Sequence, residues 1–310
     1  MSVDSTFTLA MIRLNSGTDV DLYGLTDVSI SEGLQEVLAH GAGAVDPSFM
    51  SLLSIEPVIS VTATELTKIL AVFGNDGLCI GSAQTYTDVQ FYFVQLGKCA
   101  PRLGSTNHIK VTMNEGLIIP TTLTASQGQT ATLGLEFHAS YDGTNAPLSF
   151  ATSHALPATA AISQQFTLGP VKINGTELLG VQQTTVNWGI NLAKEKGAGQ
   201  VYPTFIGITQ RQPSIEVRTK KLTSISTFGL TGTAQGATDS VIYFRKQSAN
   251  GTLVADATSE HISVTIDDGI ITVPTTGSQN NQTGDSTVKI TPVYDGTNAI
   301  MAISSATAIS

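Results

Sequence analysis

Apolar and polar residues alternate with a period of two along most of this chain. HIKVTM (108–113) and HISVTI (261–266) are the cleanest cases, and each runs into a turn sequence, Asn-Glu-Gly or Asp-Asp-Gly. YTDVQFYF (86–93) and SVIYF (240–244) are β-branched and aromatic runs. Successive side chains of an extended backbone point to opposite faces, so this alternation predicts strands with one face buried. Val28 and Ile30 on one side, and Val58, Ile59 and Val61 on the other, flank a segment that reads as a long hairpin with Gly41-Ala-Gly43 at or near its tip. Glycine suits a tip because tight turns need positive φ. One helix interrupts the strands: Thr64 is placed to cap residues 65–73, and Gly74 to end them. A weaker counterpart, Thr219 to Gly229, is crowded by Thr223, Ser224, Ser226 and Thr227.

The pattern occurs twice. At a shift of 156 residues HGAGAVDPSF (40–49) falls on KGAGQVYPTF (196–205), and EPVISVTATELTKI (56–69) on QPSIEVRTKKLTSI (212–225). Gly41, Gly43, Pro47, Phe49, Pro57, Ile59, Val61 and Leu66 thereby match Gly197, Gly199, Pro203, Phe205, Pro213, Ile215, Val217 and Leu222 without a gap. Both copies close on YDGTNA, at 141–146 and 294–299. The matching residues shape backbone and core, which is the mark of a duplicated fold. The expected class is mainly β: two tandem copies of a β-sandwich or barrel domain, residues 1–156 and 157–310, each with a long hairpin and one short helix. AISQQFTLGP (161–170) is the linker candidate.

Composition narrows the function. Of 310 residues 41% are hydrophobic, enough for a core in each half, yet only 13% are charged. A surface of Ser, Thr, Gly, Asn and Gln suits a protein whose faces are covered by neighbours. A net charge of −9 argues against a phosphate-binding surface. No apolar run reaches the roughly 18 residues of a membrane span. The opening MSVDSTFTLAMIRLNS has an acidic residue before a short apolar stretch and does not read as a signal peptide.

Candidate chemistry is sparse. Cys79 and Cys99 have no counterparts in the second half and read as buried thiols. Asp142 and Asp295, with Asn145 and Asn298, could be imagined as calcium ligands but read as Asp-Gly turns. Of His40, His108, His138, His154 and His261, only His108 and His261 match across the repeat; both begin a strand and read as packing or hydrogen-bonding residues. The sequons at Asn174, Asn250 and Asn281 read as loops. Trp188 and the aromatics at 91–93 read as core or interface. No nucleophile, phosphate-loop or metalloprotease motif is present, so neither an enzyme nor a cofactor is expected.

Charge, by contrast, divides the copies. Residues 1–156 hold 14 acidic and 5 basic residues, whereas 157–310 hold 10 of each. In the first hairpin region, 26–62, Asp27, Glu32, Glu36, Asp46 and Glu56 stand without any Lys or Arg. The second, 182–218, carries Lys194, Lys196, Arg211 and Arg218 against Glu195 and Glu216. Neutral drift of solvated faces is one reading. The functional one is that copies alternate around a ring, the acidic edge (Asp27, Glu32, Glu36 near Gly41 and Gly43) against the more basic edge (Lys194, Lys196, Arg211 near Gly197 and Gly199).

The unit of about 155 residues, the Gly-tipped hairpin, and EPVISVTATELTKIL and QPSIEVRTKKLTSI leading into a short helix resemble the tail tube (major tail) proteins of long-tailed bacteriophages. That resemblance implies a virion structural protein, made in the host cytoplasm and built into the tail. Three fused chains would form a pseudo-hexameric ring stacked with others into a tube, in contact with other tail proteins. DNA would pass through the lumen during genome ejection without specific binding. A net acidic subunit could present a negative lumen that repels phosphates. The alternative class is a capsid-decorating or receptor- or carbohydrate-binding virion protein, for which an unmatched Trp188 is a mild hint.

Overall fold

The computed structural model describes residues 5–74, 76–97, 108–157, 162, 164–221, 223, 226, 228, 232–236, 238–278 and 284–310. The chain is mainly β, and among the described residues the ladders between its strands are antiparallel. Strands β1 (Ser5–Asn15), β2 (Val20–Leu22), β8 (Asp88–Gly97), β9 (His108–Met113) and β12 (Leu148–His154) form one sheet, in the order β12-β9-β8-β1-β2. Strands β13 (Gln164–Ile173), β14 (Thr176–Glu177), β20 (Ser240–Ser248), β21 (His261–Ile266) and β24 (Ala302–Thr307) form another, in the order β14-β13-β20-β21-β24.

The largest sheet draws on both halves of the sequence. The first half supplies β3 (Leu25–Ser31), β6 (Val58–Ala63), β7 (Leu78–Ile80), β10 (Gly116–Ser126) and β11 (Thr132–Ala139). From the second half come β15 (Val181–Asn187), β18 (Ser214–Thr219), β19 (Thr233–Ala234), β22 (Gly269–Gly277) and β23 (Asp285–Pro292). Their order is β19-β22-β23-β18-β15-β10-β11-β6-β3, with β7 beside the first half of β10. Two hairpins stand apart: β4 (Leu34–Ala39) with β5 (Phe49–Ile55), and β16 (Ile190–Glu195) with β17 (Phe205–Arg211).

Strand register repeats with the sequence. Val28 faces Val61 across β3–β6, and Thr184 faces Val217 across β15–β18, each residue moved by 156. Leu123 faces Leu133 across β10–β11, and Thr276 faces Ser286 across β22–β23, each moved by 153. Both β10 and β22 carry a bulge just before that pair, after Pro120 and after Thr272. The two hairpins share their punctuation too. Gly33 and Gly189, both with positive φ, sit so close to the backbone of Glu56 and Gln212 that a Cβ has no room. At the tips Gly43 and Gly199 turn the chain at φ near +80°.

One contiguous apolar core runs through both halves, from Ile12, Phe91 and Leu135 to Val217, Phe244 and Ile290. In the first half Phe91 of β8 meets Phe137 of β11 edge-to-face, centroids 5.0 Å apart, so the β1–β8 sheet lies over the large one. The helix α1 (Leu66–Phe73) buries Leu66, Ile69, Leu70 and Phe73 and touches β10 and β24. It ends at Gly74, as the sequence indicates, but its cap differs: Glu65 holds the N-cap position without a side-chain bond to the helix. Thr64 is engaged elsewhere, since its N–H (2.8 Å) and Oγ1 (2.9 Å) both donate to Gly24 O. The Glu65 carboxylate accepts from Tyr23 N instead. Of the weaker second helix, Thr219 ends β18, and residues 222, 224, 225, 227 and 229 lie outside the described residues.

Two other expectations are corrected. The linker candidate is strand from Gln164 onward, paired with β20 around a break in register between Leu168 and Val171. Gly169 is needed there because a Cβ would press on Tyr243 O, 2.6 Å away. Cys79 is exposed, not buried: β7 contributes only a short edge segment beside β10, which leaves the thiol on the outer side; Cys99 lies outside the described residues. Among the described residues no helix is long and apolar enough to cross a membrane.

Candidate assembly interface

Among the described residues the two halves meet in several places, and the first is a strand junction. β10 and β15 pair antiparallel from Thr122↔Asn187 to Ser126↔Gln183, with Leu123 opposite Val186. Trp188 follows directly, donating its N–H to Thr121 O at 3.0 Å, and its indole is among the largest fully buried side chains. That burial removes the one hint of an exposed aromatic ligand site. By the registers above, the counterpart of β10 is β22 and that of β15 is β3. Among the described residues neither counterpart has a partner along the matching stretch of its edge: β22 pairs outward through Ile270 and Ile271, to β19, and β3 pairs with β6 alone. The unpaired edges lie at opposite ends of one sheet. Their side chains show what is missing, since Val186 is 0% exposed while Ile30, its counterpart on β3, is 37% exposed.

The second meeting place is the β16–β17 hairpin, whose tip rests on the first half. Val201 O accepts from Ile55 N (2.9 Å) and Pro203 O from Tyr141 N (2.8 Å). Between them Tyr202 stacks on Tyr141, centroids 6.0 Å apart at 27°. Lys196 Nζ lies 2.9 Å from Glu56 Oε1 and also bonds Ser54 Oγ, while Lys194 Nζ lies 3.6 Å from Glu56 Oε2. The hydrogen bond from Lys196, helped by Ser54 and both ammonium charges, holds the Glu56 carboxyl below its ordinary range against the opposing effect of partial burial. Arg211 pairs with Asp76 beside the end of α1. α1 also touches β24, and at the β10–β11 turn Ala131 N donates to Phe166 O at 2.6 Å.

The charged residues singled out from sequence divide accordingly. Lys194, Lys196 and Arg211 all reach carboxylates of the first half. Their partners are Glu56 and Asp76, not Asp27, Glu32 or Glu36. Asp27 sits exposed on β3, Glu36 exposed on β4, and Glu32 between those strands; none makes an ion pair among the described residues. Gly41 and Gly43, like Gly197 and Gly199, form the hairpin tips, where Ala44 N bonds Gly41 O and Gln200 N bonds Gly197 O. Tyr141, Tyr202 and Trp188 are the interface residues that charge-based reading passes over. The signal was present: Tyr141 opens the first YDGTNA, and Tyr202 stands where the first copy has Asp46.

Elsewhere the polar groups serve structure. Asp142 Oδ1 accepts from Thr144 N (2.8 Å) and Asn145 N (2.6 Å), and Asp295 Oδ1 from Thr297 N and Asn298 N (both 2.7 Å). These carboxylates close turns. His108 Nδ1 and His261 Nδ1 accept backbone N–H groups of Gln95 and Lys246, at 3.2 and 3.0 Å. Compared with known protein families and with curated protein sequences, the chain matches none.

Proposed function

We propose that this chain is a ring-forming structural subunit of a virion, three copies closing into a ring and rings stacking into the tail tube that conducts DNA. The observation that carries the reading is the pair of unpaired edges, β22 and β3, which copy the two sides of a junction already made inside the chain. Joining them head to tail would extend the sheet from one chain to the next. The expected register is Thr275 opposite Ser31, Thr276 opposite Ile30 and Gly277 opposite Ser29, by analogy with β10–β15. A heterologous contact of this kind closes into a ring or runs on as a filament. Eight strands per chain in three chains give a barrel of roughly 24 strands, about 50 Å across at the backbone.

The face of this sheet turned away from the core carries Ser60, Thr62, Gln183 and Thr185 together with compensated charges. Glu216 lies 3.6 Å from Lys289 and Arg218 pairs with Asp285, while Glu136 shares a hydrogen bond of 3.1 Å with His138. A lumen lined this way offers phosphates no uncompensated cation. Its low adhesion would rest on hydroxyls and paired charge more than on surplus carboxylates.

Negative-stain microscopy of the purified chain over a concentration series tests the proposal. Rings or tubes about 100 Å across are expected. A protein that stays monomeric at the highest concentration reached would overturn it.

A further inference from the structure

The β4–β5 hairpin is the least explained part of the molecule. It forms a two-stranded sheet of its own, held at its base where Ile55 N and Ser54 Oγ meet the β16–β17 hairpin, and an isolated two-stranded hairpin is marginal in water. Leu34, Leu38, Phe49, Met50 and Leu53 are all exposed along it, and Val45 at the tip is 92% exposed. An apolar surface this extensive marks a contact. Its counterpart β16–β17, with the same Gly-Ala-Gly tip, is already seated on Ile55 and Tyr141.

That seat has a vacant copy. Shifted by the repeat, Ile55 becomes Arg211 and Tyr141 becomes Tyr294. Around the two tyrosines the backbone bonding is the same up to one point. Ser140 N donates to Glu115 O (2.9 Å) as Val293 N donates to Asp268 O (3.1 Å). Tyr141 N then donates to Pro203 O, whereas Tyr294 N finds no acceptor among the described residues and its ring is exposed.

We infer that the β4–β5 hairpin seats on a second copy of this chain, with Val45 O accepting from Arg211 N and Pro47 O from Tyr294 N of that copy. This inference rests on the ring reading and names its outer contact. The chemistry of the joint also changes. Lys194 and Lys196 are replaced by Leu38 and His40, Glu56 by Gln212, and Tyr202 by Asp46. The ion pairs of the seated hairpin therefore have no counterpart between chains, and apolar burial holds that joint.

Cysteine cross-linking in a background of Cys79→Ser and Cys99→Ser decides the matter. Two chains are prepared, one with Val45→Cys and one with Arg211→Cys, then mixed, allowed to assemble and oxidised. Ile55→Cys with Val201→Cys in a single chain is the control, since those backbones already lie in hydrogen-bond contact. A disulfide-linked dimer that forms in the mixture but in neither chain alone is the expected result. Its yield should hold between low salt and about 1 M, where exposed ion pairs are screened. Rings without this cross-link would overturn the seat and leave the ring reading standing. Absence of both rings and cross-link would overturn both. An intrachain cross-link in the Val45→Cys, Arg211→Cys double variant would overturn the seat by placing the hairpin on its own chain.

Discussion

Strands β15 and β3 occupy the same place in the repeat, yet one is interior and the other is an edge. β15 has β18 on one side and β10 on the other, and it buries Thr184 and Val186 completely. Among the described residues β3 has only β6 beside it, and Val28 and Ile30 remain partly open to solvent. The hairpins that follow differ in the same sense: the tip of β16–β17 is docked, whereas the tip of β4–β5 is exposed. Sequence differences explain little of this, because the backbone glycines and most apolar positions are shared. The difference is one of occupancy. β15 and the β16–β17 hairpin meet the first half, and under the ring reading their counterparts β3 and β4–β5 would meet another chain.

The sharpest way to break this comparison is to charge both positions. Val186→Asp places a carboxylate in a fully buried junction and should cost about 3–5 kcal/mol, enough to leave little folded protein in a thermal melt. Ile30→Asp should change the melting temperature of the unassembled chain little, yet abolish ring formation by size-exclusion chromatography. Equal destabilisation by the two would show that β3 is not a waiting edge.

Trp188 gives the next largest contrast. Trp188→Ala should cost about 3–5 kcal/mol in chemical denaturation, as large-to-small changes in a packed core do. Glu32→Ala, at the corresponding place of the first half, should stay within about 0.5 kcal/mol in the unassembled chain.

Glu56→Gln sharpens the comparison further by giving the inner hairpin seat the residue found at Gln212. Its partners are partly exposed, so a loss of about 1 kcal/mol is expected. The carboxyl is held below its ordinary value of 4.5 in the folded chain. Its contribution is therefore fully present above that pH and lost as pH falls through the depressed folded value. A stability-versus-pH curve of Glu56→Gln should lack this acid-side component. A variant that loses stability in acid as the parent does would assign the effect to other carboxylates.

The smallest effect is the converse exchange: Leu38→Lys, His40→Lys and Gln212→Glu together import the ionic joint to the outer seat. Assembly should then weaken with added salt by light scattering, whereas the parent should not respond. An equally salt-dependent parent would argue against an apolar outer joint.

Local features of the fold were legible because they are written in adjacent residues. HIKVTM and HISVTI are strands with their ends where the alternation puts them, and Gly74 ends the helix. Residues 164–170 were misread because Gly169-Pro170 looks like punctuation; in the fold the glycine lets β13 approach Tyr243 within a strand. Thr64 was assigned to the helix because its bond to Gly24 O spans 40 residues and leaves no local trace. The charge contrast between the hairpins was visible, but not its partners. Lys196 reaches Ser54 across 142 residues, a closure set by how β15 joins β10.

That internal junction has a kinetic consequence. The segment joining β12 to β13 is a tether, so the halves meet at an effective concentration of millimolar order whatever the dilution of the chain. β10 and β15 can pair as soon as both exist, while β22 and β3 must find each other by diffusion. In a ring of three chains half the joints would then be settled during folding, and only three encounters would depend on supply. The chain would become assembly-competent as a preformed pair, with its concentration threshold set by the outer joint alone.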